Sequence, residues 1–278
     1  MKIIKWILLI ILLVMGLVFM LFAVFYYPQS PRQRAEFWFL LQGRYAQGST
    51  QEQWLFAQAL RADPTFAKAW MEKSVSYNKR GYYAEGFAAL NKAVELEPVQ
   101  YLGYRGYQRM AMLHDYDGAI IDLLRLDSLT PGVRDAPWGE DIYYVLGLAY
   151  KGKEDFLKAK AYFDQSIELT TQESGEKWVD VKLFLYLGIT QAKLGNQVAA
   201  LADFDKAISY YIQFTEAYYQ KGLLLAKSGA QKEACKCFSA SLKYFQEGYY
   251  YTDSYVELPD QIYQSDIEEA LQVYCVNN

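Results

Sequence analysis

Histidine is nearly missing from this chain: one residue, His114, in 278. A Ser-His-Asp triad would have to use it, and no G-x-S-x-G nucleophile motif accompanies it. The chain also lacks clustered His, Cys or carboxylate ligands at metal spacing, a G-x-x-x-x-G-K-[ST] loop and a dinucleotide fingerprint, so no metal or cofactor is expected. Acid pairs such as Glu268 and Glu269 read as a solvated helix face. These absences argue against an enzyme. Basic excess is absent too: the net charge is −4, which leaves no electrostatic footprint for nucleic acid. Cysteine is scarce, at three residues. Cys235 and Cys237 stand two apart in a helical pattern and point in different directions, an arrangement unsuited to a bridge. With Cys275 the count is odd, and all three are read as small apolar packing residues. No stretch reads as a strand-rich domain.

Aromatic residues, by contrast, are abundant, at 17% of the chain with 26 tyrosines. Many are expected between helices, and the surplus suggests a face that grips a partner. Long apolar runs are confined to one place. After Met1, Lys2 and Lys5 the chain is uncharged and apolar from Trp6 to Tyr27, a length of roughly 33 Å as a helix, enough for a bilayer core. Trp6 at one end and Tyr26 and Tyr27 at the other suit the interfacial belts. A cleaved signal peptide would have a shorter apolar region and a small-residue cleavage site, and neither is seen after Phe25. Residues 1–27 are therefore read as a single-pass signal anchor and residues 28–32, with Pro28 and Pro31, as a linker.

Lys2, Lys5 and the amino terminus on one side balance Arg32, Arg34 and Arg44 on the other, so the positive-inside count is a tie. A short basic leader before a large domain favours export of that domain. Free thiols point the other way, away from an oxidising compartment.

The most informative stretch is Phe184 to Ser241. Gly188 recurs as Gly222, Ala200 as Ala234 and Phe204 as Phe238, while Ala207 returns as Ser241, each pair 34 positions apart. A fixed period of this size marks a repeat architecture. At helical spacing the small residues stand where two helices touch, and Gly195 and Gly229 fall in the turns between them. Each copy is predicted to be a helical hairpin. The same pattern runs upstream through Tyr143, Leu146, Gly147, Tyr150, Ala159 and Phe163. It appears again in Trp70, Ser74, Tyr77, Gly86, Leu90, Ala93 and Pro98. Asp115 to Ala119 with Pro131 gives the second half of a further copy, and Phe37 to Pro64 a degenerate first one. Connections Pro131–Asp141 and Thr170–Asp180 exceed what the period requires and read as surface insertions.

On these residues the chain resembles the tetratricopeptide repeat (TPR) family. The resemblance implies an all-α TPR-type helical-hairpin solenoid of about six repeats over residues 33–247, behind the N-terminal transmembrane helix. Residues 248–278 then form a capping segment: Tyr249, Tyr250, Tyr251, Tyr255 and Pro259, followed by a helix carrying Ile262, Tyr263, Ile267, Ala270, Leu271 and Tyr274. A stack of hairpins leaves an apolar end that such a helix covers.

In TPR proteins the first helix of each hairpin lines a concave groove. Carried over copy by copy, this selects Met71, Val75, Asn78 and Lys79; Tyr104 and Gln108; Tyr144, Leu148 and Lys151; Leu185, Ile189 and Lys193; and Tyr219, Leu223 and Lys227. The face is apolar and tyrosine-rich, bordered by one lysine in each of four copies, and suits an extended or helical peptide carrying acidic groups. Early positions hold Met71 and Val75 where chaperone-tail clamps of the family have Lys and Asn, so that clamp is not expected. The expected function is a membrane-anchored scaffold binding a partner protein or peptide in its groove, without nucleic acid. The competing expectation is an envelope protein that binds glycan or another small ligand through the same tyrosines.

Overall fold

The computed structural model describes residues 2–27 and 29–275. Met1, Pro28 and residues 276–278, parts of the expected anchor, linker and cap, lie outside the described residues. Among the described residues there are fourteen α-helices, two single 3-10 turns and no strand, an all-α arrangement of hairpins as the repeat period predicts. The chain divides into two compact units after Tyr101.

The first unit begins with α1 (Lys2–Tyr26), whose Ile4–Tyr26 stretch of 23 residues is long and apolar enough to cross a membrane. At its end Tyr26 packs edge-on against Phe37 and Trp38, and the Trp38 indole N–H donates to the Tyr26 hydroxyl at 2.6 Å. These partners lie on α2 (Pro31–Gln42). Pro31 stands at the first helical position, where its missing N–H costs nothing, and Ser30 and Gln33 form a capping box before the helix. The helix therefore starts inside the span 28–32 expected as linker. α2 pairs with α3 (Thr50–Ala62). Ala35, Phe39, Phe56, Ala59 and Phe66 make the shared core. α4 (Ala67–Asn78) and α5 (Tyr83–Leu96) form the next hairpin. There Gly86 lets Asn78 lie directly against the second helix, since a Cβ at 86 would fall 1.8 Å from the Asn78 Oδ1.

The second unit is built on α6 (Pro98–Leu113) and α7 (Tyr116–Leu129), α8 (Ile142–Gly152) and α9 (Phe156–Ser174), α10 (Val181–Lys193) and α11 (Gln197–Tyr210), then α12 (Thr215–Lys227) and α13 (Gln231–Gln246). Successive hairpins stack, α9 meeting α10 and α11 meeting α12. An aspartate caps four of these helices: Asp115, Asp141, Asp155 and Asp180 each accept a backbone N–H at the helix start. Inside α6/α7, Asp122 is nearly fully buried and accepts from both Arg105 and Arg109, at 2.6–2.9 Å. The longer connections are ordered: Arg134 reaches Asp141 at 2.6 Å and Glu173 at 3.0 Å, and Trp138 lies 4.8 Å from the Tyr104 ring.

α14 (Gln264–Cys275) packs along α13. Ile267 and Ala270 are buried, and Tyr274 stacks on Phe238 with ring centroids 5.9 Å apart. Ile262 and Tyr263, expected within this helix, precede it. The reading of all three cysteines as unpaired packing residues is corrected here: Cys235 on α13 and Cys275 on α14 form a disulfide, while Cys237 alone stays a buried thiol. The two stand 40 positions apart in the sequence, so only the return of α14 onto α13 brings the sulfurs together.

One half-buried acid on α11, Asp203, works against stability. Burial, reinforced by Asp164, pushes the Asp203 carboxyl up to about 6, and its Oδ2 lacks a partner. With the folded value above the unfolded one, the native state binds more protons, so this group's contribution falls as pH rises from about 4 to 6. Asp203→Asn is expected to raise stability at pH 7 by about 1–2 kcal/mol after solvent screening, and to leave it unchanged near pH 3. Urea melts at the two pH values check both signs.

Candidate functional site

The site is built by first helices. α8, α10 and α12 follow one another as neighbours, and with α6 they turn one face to a common cavity of about 550 Å³. Tyr107, Met110 and Ala111 come from α6, Tyr144, Leu148 and Lys151 from α8, Lys182, Leu185 and Tyr186 from α10, and Glu216 from α12. Their spacings of three and four residues set them on one side of each helix. The remaining wall is not a repeat at all. Residues 251–261, an irregular segment of bends and a turn between α13 and α14, line the other side of the cavity.

Specific contacts hold that segment. Asp260 pairs with Lys151, the Tyr186 hydroxyl donates to the Pro259 carbonyl at 2.9 Å, and the Tyr251 N–H donates to the Glu216 Oε1 at 2.7 Å. Lys182 lies 3.1 Å from Glu140 and 3.3 Å from Asp180. Burial pulls its ammonium down, but the two carboxylates outweigh that and hold it above the ordinary lysine value. Both lysines also stand over tyrosine rings, Lys151 5.7 Å from the Tyr186 centroid and Lys182 5.3 Å from that of Tyr144. The two tyrosines are buried, and loss of solvent raises their hydroxyls well above the usual phenol range. They act as hydrogen-bonding walls and do not ionise near neutral pH. Burial also raises the Glu216 carboxyl.

Of the residues named from the repeat pattern, Tyr144, Leu148, Lys151 and Leu185 line the cavity. Ile189 is buried one turn further along α10, and Gln108 and Tyr104 are buried on α6, Tyr104 against Trp138. Tyr219 and Leu223 pack against the α13/α14 cluster, with the Tyr219 ring 6.1 Å from Phe238. They support the cap instead of facing the cavity. Lys193 and Lys227 are exposed in the last turns of α10 and α12. Met71, Val75, Asn78 and Lys79 belong to the first unit. Met71 is half-buried there, Val75 and Asn78 are buried, and Lys79 ends α4, 3.3 Å from the Gln47 side chain.

Sequence reasoning missed Lys182, Tyr186 and Glu216. Lys182 lies three residues before Leu185, and that spacing carried the signal. Residues 251–261 have no periodicity to reveal where they go. His114 also lines the cavity, stacked on Tyr116 with centroids 5.9 Å apart. No group of three or more potential metal ligands occurs among the described residues.

Comparison with known proteins accords with this geometry. A family model described as tetratricopeptide repeat matches residues 67–100, 140–172 and 215–247. The anaphase-promoting complex subunit CDC16 of Saccharomyces cerevisiae (strain ATCC 204508 / S288c) is 24% identical over 187 residues, 65% of this chain and 21% of that protein. The chain thus matches only about a fifth of that relative's length. Among solved structures, PilW, described as a widely conserved type IV pilus biogenesis factor, superposes with a TM-score of 0.59 at 16% identity, covering 77% of this chain and 94% of PilW. YrrB, described as a TPR protein with an unusual peptide-binding site, superposes with a TM-score of 0.52 at 17% identity, covering 72% and 94% of the two chains. Hairpins closed by Gly–Phe contacts, a 34-residue period and these matches agree: residues 67–100, 140–172 and 215–247 are tetratricopeptide repeats.

Proposed function

We propose that this chain is a binding scaffold: α1 holds it at a membrane, and the first-helix face of its second unit captures an extended stretch of a partner protein. The observation that carries the reading is residues 251–261, a non-helical segment already seated on that face through one ion pair and backbone-directed hydrogen bonds. A face that binds its own chain in this way has the donors, apolar floor and length to bind another. The peptide-binding site named for YrrB is consistent with the same use of the fold. The role is binding and not catalysis, with protein and not nucleic acid as the partner.

An apolar helix of 23 residues supports a retained anchor. The Cys235–Cys275 disulfide supports a repeat domain on the oxidising side of that membrane, because such bridges persist outside reducing compartments. Confinement to the membrane plane would raise the effective concentration of any partner anchored beside it.

Photocrosslinking in the native cells tests the reading. Benzoylphenylalanine in place of Tyr107, in the groove, is expected to trap a discrete partner. The same group in place of Val198, 84% exposed on α11, is expected to trap none. Equal trapping at both positions, or trapping only at Val198, would remove the groove from the account.

A further inference from the structure

The charges that line the cavity do not balance. Five carboxylates face it, from Glu140, Glu216, Asp253, Glu257 and Asp260, against two lysines. Both lysines are already engaged within the molecule, Lys151 by Asp260 and Lys182 by Glu140 and Asp180. Asp253 accepts two backbone N–H groups of its own segment, from Tyr255 and Val256, and Glu257 accepts from the Tyr263 hydroxyl. Those bonds supply dipoles but no positive charge.

Glu216 is the incomplete group. It is 6% exposed, its Oε1 accepts from the Tyr251 N–H, and its Oε2 has no hydrogen-bond partner. A buried carboxylate oxygen left without a donor is unfavourable, and a ligand supplying a charged donor removes that penalty. We propose that the cavity takes a cationic group, the ammonium or guanidinium of a basic side chain on a bound peptide, with Glu216 as its acceptor and Tyr107 and Tyr251 beside it. A volume of about 550 Å³ admits such a side chain with its flanking residues. The proposal rests on the scaffold reading and reverses the ligand charge expected from the sequence. Of the four lysines that suggested an acidic peptide, Lys151 is the one that lines the cavity, and the chain's own Asp260 engages it, which leaves a negative excess behind.

The test is isothermal titration of the full-length protein in detergent with four acetylated, amidated pentapeptides, Ala-Ala-X-Ala-Ala, where X is Lys, Arg, Glu or Ala. The Lys and Arg peptides are expected to bind at least tenfold more tightly than the Glu and Ala peptides. Glu216→Gln keeps an acceptor for the Tyr251 N–H but loses the charge, and it is expected to weaken the basic peptides at least tenfold with unchanged helicity and melting temperature. Asp253→Asn, on the covering segment, is expected to weaken them by a smaller factor. Preference for the Glu peptide, no binding of the basic peptides, or undiminished binding by Glu216→Gln would overturn the proposal. The scaffold reading fails separately, when the native partner does not crosslink at position 107.

Discussion

Phe204→Ala is expected to cost the second unit about 4 kcal/mol of stability, the range for deleting a buried phenylalanine ring. Phe204 is 1% exposed, and its ring edge fills the space a side chain would need at residue 188: a Cβ there would fall 2.6 Å from the Phe204 Cε1. The same fit joins Gly147 to Phe163 at 2.4 Å and Gly222 to Phe238 at 2.6 Å. Removing the ring leaves a cavity between two helices whose backbones are already close, so little can collapse into it. The complementary change, Gly188→Ala, drives a methyl group into the ring and is expected to cost about 1–3 kcal/mol by overpacking. Urea melts of the full-length protein by circular dichroism measure both. A loss under about 1 kcal/mol for Phe204→Ala would mean that the hairpin is held elsewhere, contrary to the usual cost of such a truncation.

Reduction of the Cys235–Cys275 disulfide is the second large effect. With a sequence separation of 40 between the cysteines, the loop-entropy relation gives about 4 kcal/mol of stabilisation through the unfolded chain. For a domain of this size that corresponds to a fall in Tm of about 10 °C. The closed loop contains both the segment covering the cavity and α14, so loss of the bridge is expected to loosen the groove's outer wall before the hairpins. Thermal melts with and without a phosphine reductant, repeated on Cys275→Ser, check it. Cys275→Ser should melt like the reduced protein and ignore the reductant, because the two thiols it leaves, Cys235 and Cys237, diverge on one helix and form no bridge. Identical melts of the native chain in both conditions would show that packing of α14, through Ile267 and Ala270, suffices alone.

The hairpins were legible because their signal is local and repeated. Gly188 and Phe204 sit 16 residues apart in one copy, and Gly222 and Phe238 repeat the spacing. That is close enough for the pattern to state the contact. Part of the site was legible for the same reason: Tyr144, Leu148, Lys151 and Leu185 occupy first-helix positions and do line the cavity. Tyr219 and Leu223 fit the same pattern yet are claimed by the cap. Helix periodicity names a face but not what lies against it.

The cysteines show the limit most clearly. Their positions gave an odd number and no workable local pair, since Cys235 and Cys237 diverge on one helix, and the pairing with Cys275 depends on where a helix begun 29 residues after Cys235 finally docks. The charge of the site has the same origin. Lys151 meets Asp260 across 109 residues of sequence, and Glu216 meets the Tyr251 backbone only because a segment without periodicity folds back over the first helices. Amphipathic period, small-residue spacing and apolar length determined the helices, their pairing and the N-terminal apolar helix, since each is set by neighbours within a few turns. The covered groove, its bridge and the sign of its free charge were decided by tertiary structure, because they arise from contacts between segments whose sequences carry no mark of each other.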